Sequence, residues 1–145
     1  MLQGPITHPA LVAALAASGH GSKVLIADGN YPHSTGARDG AVRIYLNLRP
    51  GLPTVDDVLD VLARTIPIES AAVMVPAAGE KVAAHEGFRR VLAEGTAWTE
   101  LGRFEFYESC RSDDVAVVIA TGEQRVYANL LLTVGVRLPD QARLP

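Results

Sequence analysis

Apolar positions along the chain change their period several times, and each change marks an element. Lys23 to Asp28 (KVLIAD) is a short apolar run ending in an acid, and residues 29–40 after it are polar and rich in Gly, Pro, Ser and Thr. A buried strand followed by a loop is predicted there. Val42, Ile44, Leu46 and Leu48 then alternate with Arg43, Tyr45, Asn47 and Arg49 up to Pro50, the period of a strand with one wetter face. The spacing lengthens after Thr54 and Asp57, where Val55, Val58, Leu59, Leu62 and Ile66 form an apolar stripe; this predicts a capped helix with one buried side. Ala71 to Val75 reads as a second buried strand, and Glu80 to Glu94 as a helix with Val82, Phe88, Val91 and Leu92 on its core side. Further on come a short strand (Ala97 to Leu101), a helix (Phe104 to Arg111), the most apolar strand (Val115 to Ala120, VAVVIA) and a last strand from Leu130 to Val136. Ahead of them all, Thr7 is the expected N-cap of a short helix that has Pro9 in its first turn, carries Leu11 and Leu15, and stops at Gly19.

Strands and helices alternate at α/β spacing, and runs such as VAVVIA require a sheet covered on both faces. The expected fold is a single-domain, three-layer α/β structure with a largely parallel sheet, spanning residues 1–145. The length of 145 residues and a hydrophobic share of 48% suit one core. Such a core needs neither disulfides nor a structural metal. Cys110 is the only cysteine, so no internal bridge can form, and no signal peptide or run of ~18 apolar residues is present. A cytoplasmic protein without membrane attachment is expected. Thirteen basic and sixteen acidic side chains give a net charge of −3, with both signs mixed, which argues against a nucleic-acid partner. A slightly positive mean hydropathy in so short a chain predicts apolar surface left for contacts between copies, hence a homo-oligomer.

In open α/β sheets ligands sit outside the carboxyl ends of strands, which directs attention to Asp28 and to the residues just after Ala120. Gly19-His20-Gly21-Ser22-Lys23 is not a phosphate loop, because it runs from a helix into a strand and ends Ser-Lys rather than Lys-Ser. His20 reads either as a polar residue in a glycine-flanked helix cap or as a general acid/base that a substrate can approach. Asp28 reads either as a solvated loop acid or as an acceptor for ligand hydroxyls and a partner for a histidine. His8, His20, His33 and His85 lack the paired spacing of a zinc site, so no metal is expected. Cys110 has no histidine beside it and reads as an inert, partly buried thiol. Arg103 to Glu108 (RFEFYE) and Tyr127-Ala128-Asn129 each read, alone, as an ordinary helix start and strand edge.

Taken together, Gly19-His20-Gly21, Ala27-Asp28 with Asn30-Tyr31-Pro32, Arg103 to Glu108, Thr121-Gly122-Glu123, and Tyr127-Ala128-Asn129 before an apolar run and Gly135-Val136 resemble the ribose-pyranase/fucose-mutarotase family, in order and over nearly the whole chain. The RFEFYE run is similar to the fucose mutarotases, whereas Tyr-Ala-Asn is similar to the ribose branch. Gly29-Asn30 after the aspartate and Ser109-Cys110 depart from the family pattern. The resemblance implies a cofactor-free isomerase that opens and recloses the hemiacetal ring of a monosaccharide, fucose-like by its closer branch. Ribose pyranase activity and non-catalytic sugar binding are the alternatives. It further implies a homo-oligomer with the sugar pocket near a subunit interface. Carried onto this chain, it makes His20 the catalytic proton donor and Asp28, Arg103, Tyr127, Ala128 (through its backbone) and Asn129 sugar-binding, with Tyr107 a further candidate.

Overall fold

The structure, a computed structural model, describes residues 1–139; the last residues of the expected domain, 140–145, lie outside the described part. The elements follow the order α1 (Pro9–Ala16), β1 (Lys23–Ala27), β2 (Val42–Tyr45), α2 (Val55–Ala63), β3 (Ile68–Met74), α3 (Ala83–Val91), β4 (Ala97–Leu101), α4 (Arg103–Cys110), β5 (Val115–Ala120) and β6 (Leu130–Val134). The α/β class and the largely parallel sheet are as the patterning predicts. The six strands lie in the order β2-β5-β1-β6-β3-β4. β2, β5 and β1 run parallel, as do β3 and β4. β6 runs antiparallel between β1 and β3. The reason is the length of the connection: residues 121–129 hold no helix, so the chain cannot cross back to the far end of the sheet and must re-enter from the end at which β5 leaves it.

Successive residues of β1 feed opposite faces, as a strand requires. Val24 and Ile26 join the core formed with α1, α2 and α3, while Leu25 and Ala27 join the one formed with Phe106 and Cys110 of α4 and with Tyr31, Ala37 and Ala41 of the loop after β1. Helix α2 starts with the expected capping box, Thr54 Oγ1 accepting from the Asp57 N–H at 3.1 Å and Asp57 Oδ2 accepting from the Thr54 N–H at 2.8 Å. Helix α1 is capped one residue later than expected. His8 Nδ1, not Thr7, accepts from the Leu11 N–H at 3.2 Å, and Pro9 then occupies the first helical position. β2 is shorter than its alternation. It is an edge strand with Val42 and Tyr45 exposed, and after Leu46 the chain turns on itself, Leu48 N–H donating to the Leu52 carbonyl at 3.1 Å. The helix expected over 80–94 spans only Ala83–Val91, because the backbone is extended at Val82 before it and at Leu92 after it. No helix among the described residues is long and apolar enough to cross a membrane.

Candidate functional site

The chain leaves β1 toward one edge of the sheet and β3 toward the other, and the following connections lie on opposite faces. Such a divergence opens a crevice at the carboxyl ends of the two strands. A cavity of about 250 Å³ lies there, lined by Asp28, Asn30 and Tyr31 after β1, Met74 at the end of β3, Arg103 and Tyr107 from the first turns of α4, and Val126, Tyr127 and Asn129 before β6. Antiparallel β6 is what delivers the last three: its first residue, Leu130, pairs with Ile26 and Val73, so residues just before it stand beside the ends of β1 and β3.

Asp28 and Asn129 are both buried and clasp each other. The Asp28 N–H donates to Asn129 Oδ1 at 2.8 Å, and Asn129 Nδ2 donates to Asp28 Oδ2 at 3.0 Å. The Asn30 N–H donates to Asp28 Oδ1 at 3.0 Å. Burial nonetheless raises the Asp28 pKa above the ordinary carboxylate value, against the lowering effect of these donors and of the Ala128 N–H. Tyr127 holds a left-handed backbone, φ +59°, which a residue with a side chain adopts only when its surroundings impose it. Its carbonyl accepts from His85 Nε2 at 2.9 Å. The Arg103 guanidinium lies 5.9 Å from the centre of the Tyr107 ring, and that ring stands 5.5 Å from the ring of Tyr31. One end of the cavity is therefore cationic and aromatic and the other carboxylate and amide, a set that can grip several hydroxyls at once.

The stretch 121–125 supports this wall. Gly29 N–H donates to the Glu123 carbonyl at 2.8 Å, and Thr121 Oγ1 donates to the Ala27 carbonyl at 2.7 Å. At Gly122 any side chain would collide with the Arg49 and Leu52 carbonyls, its Cβ falling 2.2 and 2.6 Å from them, so the turn admits glycine alone.

A sequence profile of the RbsD / FucU transport protein family matches residues 1–137. The chain belongs to that family. A D-ribose pyranase of Symbiobacterium thermophilum is 33% identical over 136 residues, covering 94% of this chain and 98% of the relative. A fucose mutarotase of Mus musculus is 34% identical, covering 90% of each chain. Among solved structures, Bacillus subtilis RbsD complexed with D-ribose superposes with a TM-score of 0.82 at 30% identity, covering 95% of this chain and all of that one.

Against the residues expected from the RbsD / FucU resemblance, the fold brings Asp28, Arg103, Tyr107, Tyr127 and Asn129 to one cavity. Ala128 stands behind it, fully buried, with its N–H directed at Asp28. His20 is elsewhere in the same chain. It precedes β1 while Asp28 follows it, so the strand, roughly 13 Å long at 3.3 Å per residue, separates them. There His20 is 60% exposed and pairs with Glu69, Nε2 to Oε2 at 3.1 Å. Met74 and Val126, which line the cavity, carried no mark in the sequence, since an apolar residue at a strand end reads as core. Cys110 is fully buried, and its thiol is pushed up to about 11 chiefly by that burial, in keeping with an inert thiol.

Proposed function

We propose that this chain is a monosaccharide mutarotase that opens and recloses the sugar ring by acid/base catalysis, with a fucose-like sugar as its preferred substrate. The carrying observation is the small cavity in which Asp28, Asn129, Arg103 and the Tyr107 and Tyr127 side chains converge from separate stretches of chain. It suits one monosaccharide, and the names of the relatives, pyranase and mutarotase, support the reaction class. Ring opening breaks the bond between the anomeric carbon and the ring oxygen; the anomeric hydroxyl gives up its proton as its C–O becomes C=O, and the ring oxygen gains one. Closure on the other face of the aldehyde gives the other anomer. Nothing is oxidised or reduced, so no cofactor is required. Asp28 takes the anomeric proton, directly or through a water, and burial favours this by raising the basicity of its carboxylate; Tyr127 is the alternative, its hydroxyl accepting that proton as it passes its own to a water. Arg103 and Asn129 hold the remaining hydroxyls. The preference for a fucose-like sugar is supported by the Arg103–Glu108 run and by Met74 and Val126, apolar lining that would suit a methyl group. Tyr127-Ala128-Asn129 supports ribose as the second choice.

His20 is the ring-oxygen acid in this reading, and it reaches the cavity from a second copy of the chain. A homo-oligomer is therefore part of the proposal. The test mixes two variants, His20→Ala and Asp28→Asn, and follows anomer exchange of fucose, ribose and galactose by exchange NMR. Each variant alone is expected to lose at least ~10²-fold in rate. Refolded together, they should recover about one quarter of the wild-type rate, because random assembly leaves that share of interfaces with both groups intact. No recovery would return His20 to a role outside the site. A wild-type protein without exchange above the buffer rate for any of these sugars would end the enzyme reading.

A further inference from the structure

We infer that His85, a residue outside the cavity, is a positioning residue that sets the orientation of Asp28 through the peptide between Tyr127 and Ala128. The inference rests on the reading of the Asp28 cavity as the sugar site. His85 sits in the first turn of α3, and its ring is wedged 6.0 Å from the ring centre of Phe88 and 6.0 Å, edge-on, from that of Trp98. Its Nε2 lies 2.9 Å from the Tyr127 carbonyl oxygen. A carbonyl only accepts, so Nε2 carries the proton and donates. Burial lowers the pKa of the ring, the bond to the Tyr127 carbonyl and Glu100 opposing this and Arg89 adding to it.

The recipient of this bond is the residue that most needs one. Tyr127 holds φ at +59°, and among the described residues His85 is the one hydrogen-bond partner of its backbone. Without that anchor the left-handed conformation loses what holds it, and the peptide after Tyr127 is free to rotate. Rotation would matter in the cavity because a trans peptide is rigid: its C=O and N–H point in opposite directions. With the carbonyl drawn toward α3, the Ala128 N–H is turned toward Asp28, where it favours the charged carboxylate. His85 thus reaches across one peptide plane to the group that accepts the anomeric proton, without touching the cavity. Its own ring faces a different surface cleft, shared with Lys81, Arg89 and Glu100.

The experiment compares wild type, His85→Phe, which keeps a ring but no donor, and His85→Gln, whose amide can donate to the same carbonyl. The readouts are steady-state anomer exchange of fucose, thermal midpoint and the amide resonance of Ala128. His85→Phe is expected to lower kcat about tenfold while KM moves less than about threefold, with the Ala128 amide proton shifting upfield as its bond to Asp28 weakens. His85→Gln should restore both to within about threefold of wild type. Should the Phe variant fail to fold, His85→Leu takes its place in the same comparison with Gln. An unchanged rate and an unchanged Ala128 resonance in a folded donor-less variant would overturn the inference while leaving the enzyme reading intact. A Gln variant as impaired as Phe would reduce His85 to packing, and a wild type without exchange would remove the sugar site and this inference together.

Discussion

Asp28 and Asn129 are 101 positions apart in the chain, yet each is the other's main polar partner. The clasp solves the problem of a buried carboxylate: burial raises the Asp28 pKa, and donors hold part of the rise back. Replacing Asn129 by Leu removes a donor to the carboxylate and an acceptor for the Asp28 amide together. Denaturant unfolding should show a loss of about 2 kcal/mol, the cost of leaving buried polar groups without partners. The Asp28 pKa should rise further, so the acid limb of the exchange-rate profile should move to higher pH. An acid limb that stays in place would mean that Asp28 does not titrate in the reaction.

Elements matter here chiefly through the 121–129 connection. It carries two polar anchors, one at each end of the cavity wall. At the far end from Tyr127, the buried Glu123 carboxylate accepts from Arg125 Nε at 3.0 Å and from the Val55 N–H at 3.2 Å, at the start of α2. Arg125 also pairs with Asp56. Although burial opposes ionisation, these donors pull the Glu123 carboxyl from 4.5 down to about 2. A folded pKa below the unfolded one stabilises the protein at pH above about 4.5, and the gain is lost as pH falls from there toward about 2. The full difference amounts to roughly 3 kcal/mol at neutral pH. Comparing wild type with Glu123→Gln by thermal unfolding between pH 7 and 2.5 should show a gap that is constant at the upper end and closes through the acid range. A gap that persists unchanged at pH 2.5 would assign Glu123 a role other than its charge.

For the whole molecule, two of the exposed apolar residues, Phe104 and Val126, stand at the cavity. Phe104 is 82% exposed and Val126 64%, and they adjoin Arg103 and Tyr127, which line the cavity. In the proposed two-copy site, these are the apolar side chains that a second copy covers when it brings His20 to the cavity. Phe104→Ser should therefore weaken assembly and activity in parallel. Sedimentation velocity over a dilution series should find the variant dissociating at higher concentration than wild type, with exchange activity following the assembled fraction. Full activity in a monomeric variant would contradict the two-copy site.

Local periodicity was enough to read the strands, the helices, the α/β class and the Thr54–Asp57 cap, because each depends on neighbours a few residues away. The family resemblance, carried by the order of motifs, named Asp28, Arg103, Tyr107, Tyr127 and Asn129, which the fold brings to one cavity. What sequence order could not convey was which end of the sheet each motif reaches. The helix-free connection 121–129 turns β6 antiparallel and carries Asn129 to Asp28, whereas β1 holds His20 and Asp28 a strand's length apart although only eight positions separate them. The contacts of His85 with the Tyr127 carbonyl and of Glu123 with the Val55 N–H were not legible either, since each joins groups distant in the chain. Burial and hydrogen-bond direction are properties of the packed molecule, and they decide which of the residues named by the sequence can meet.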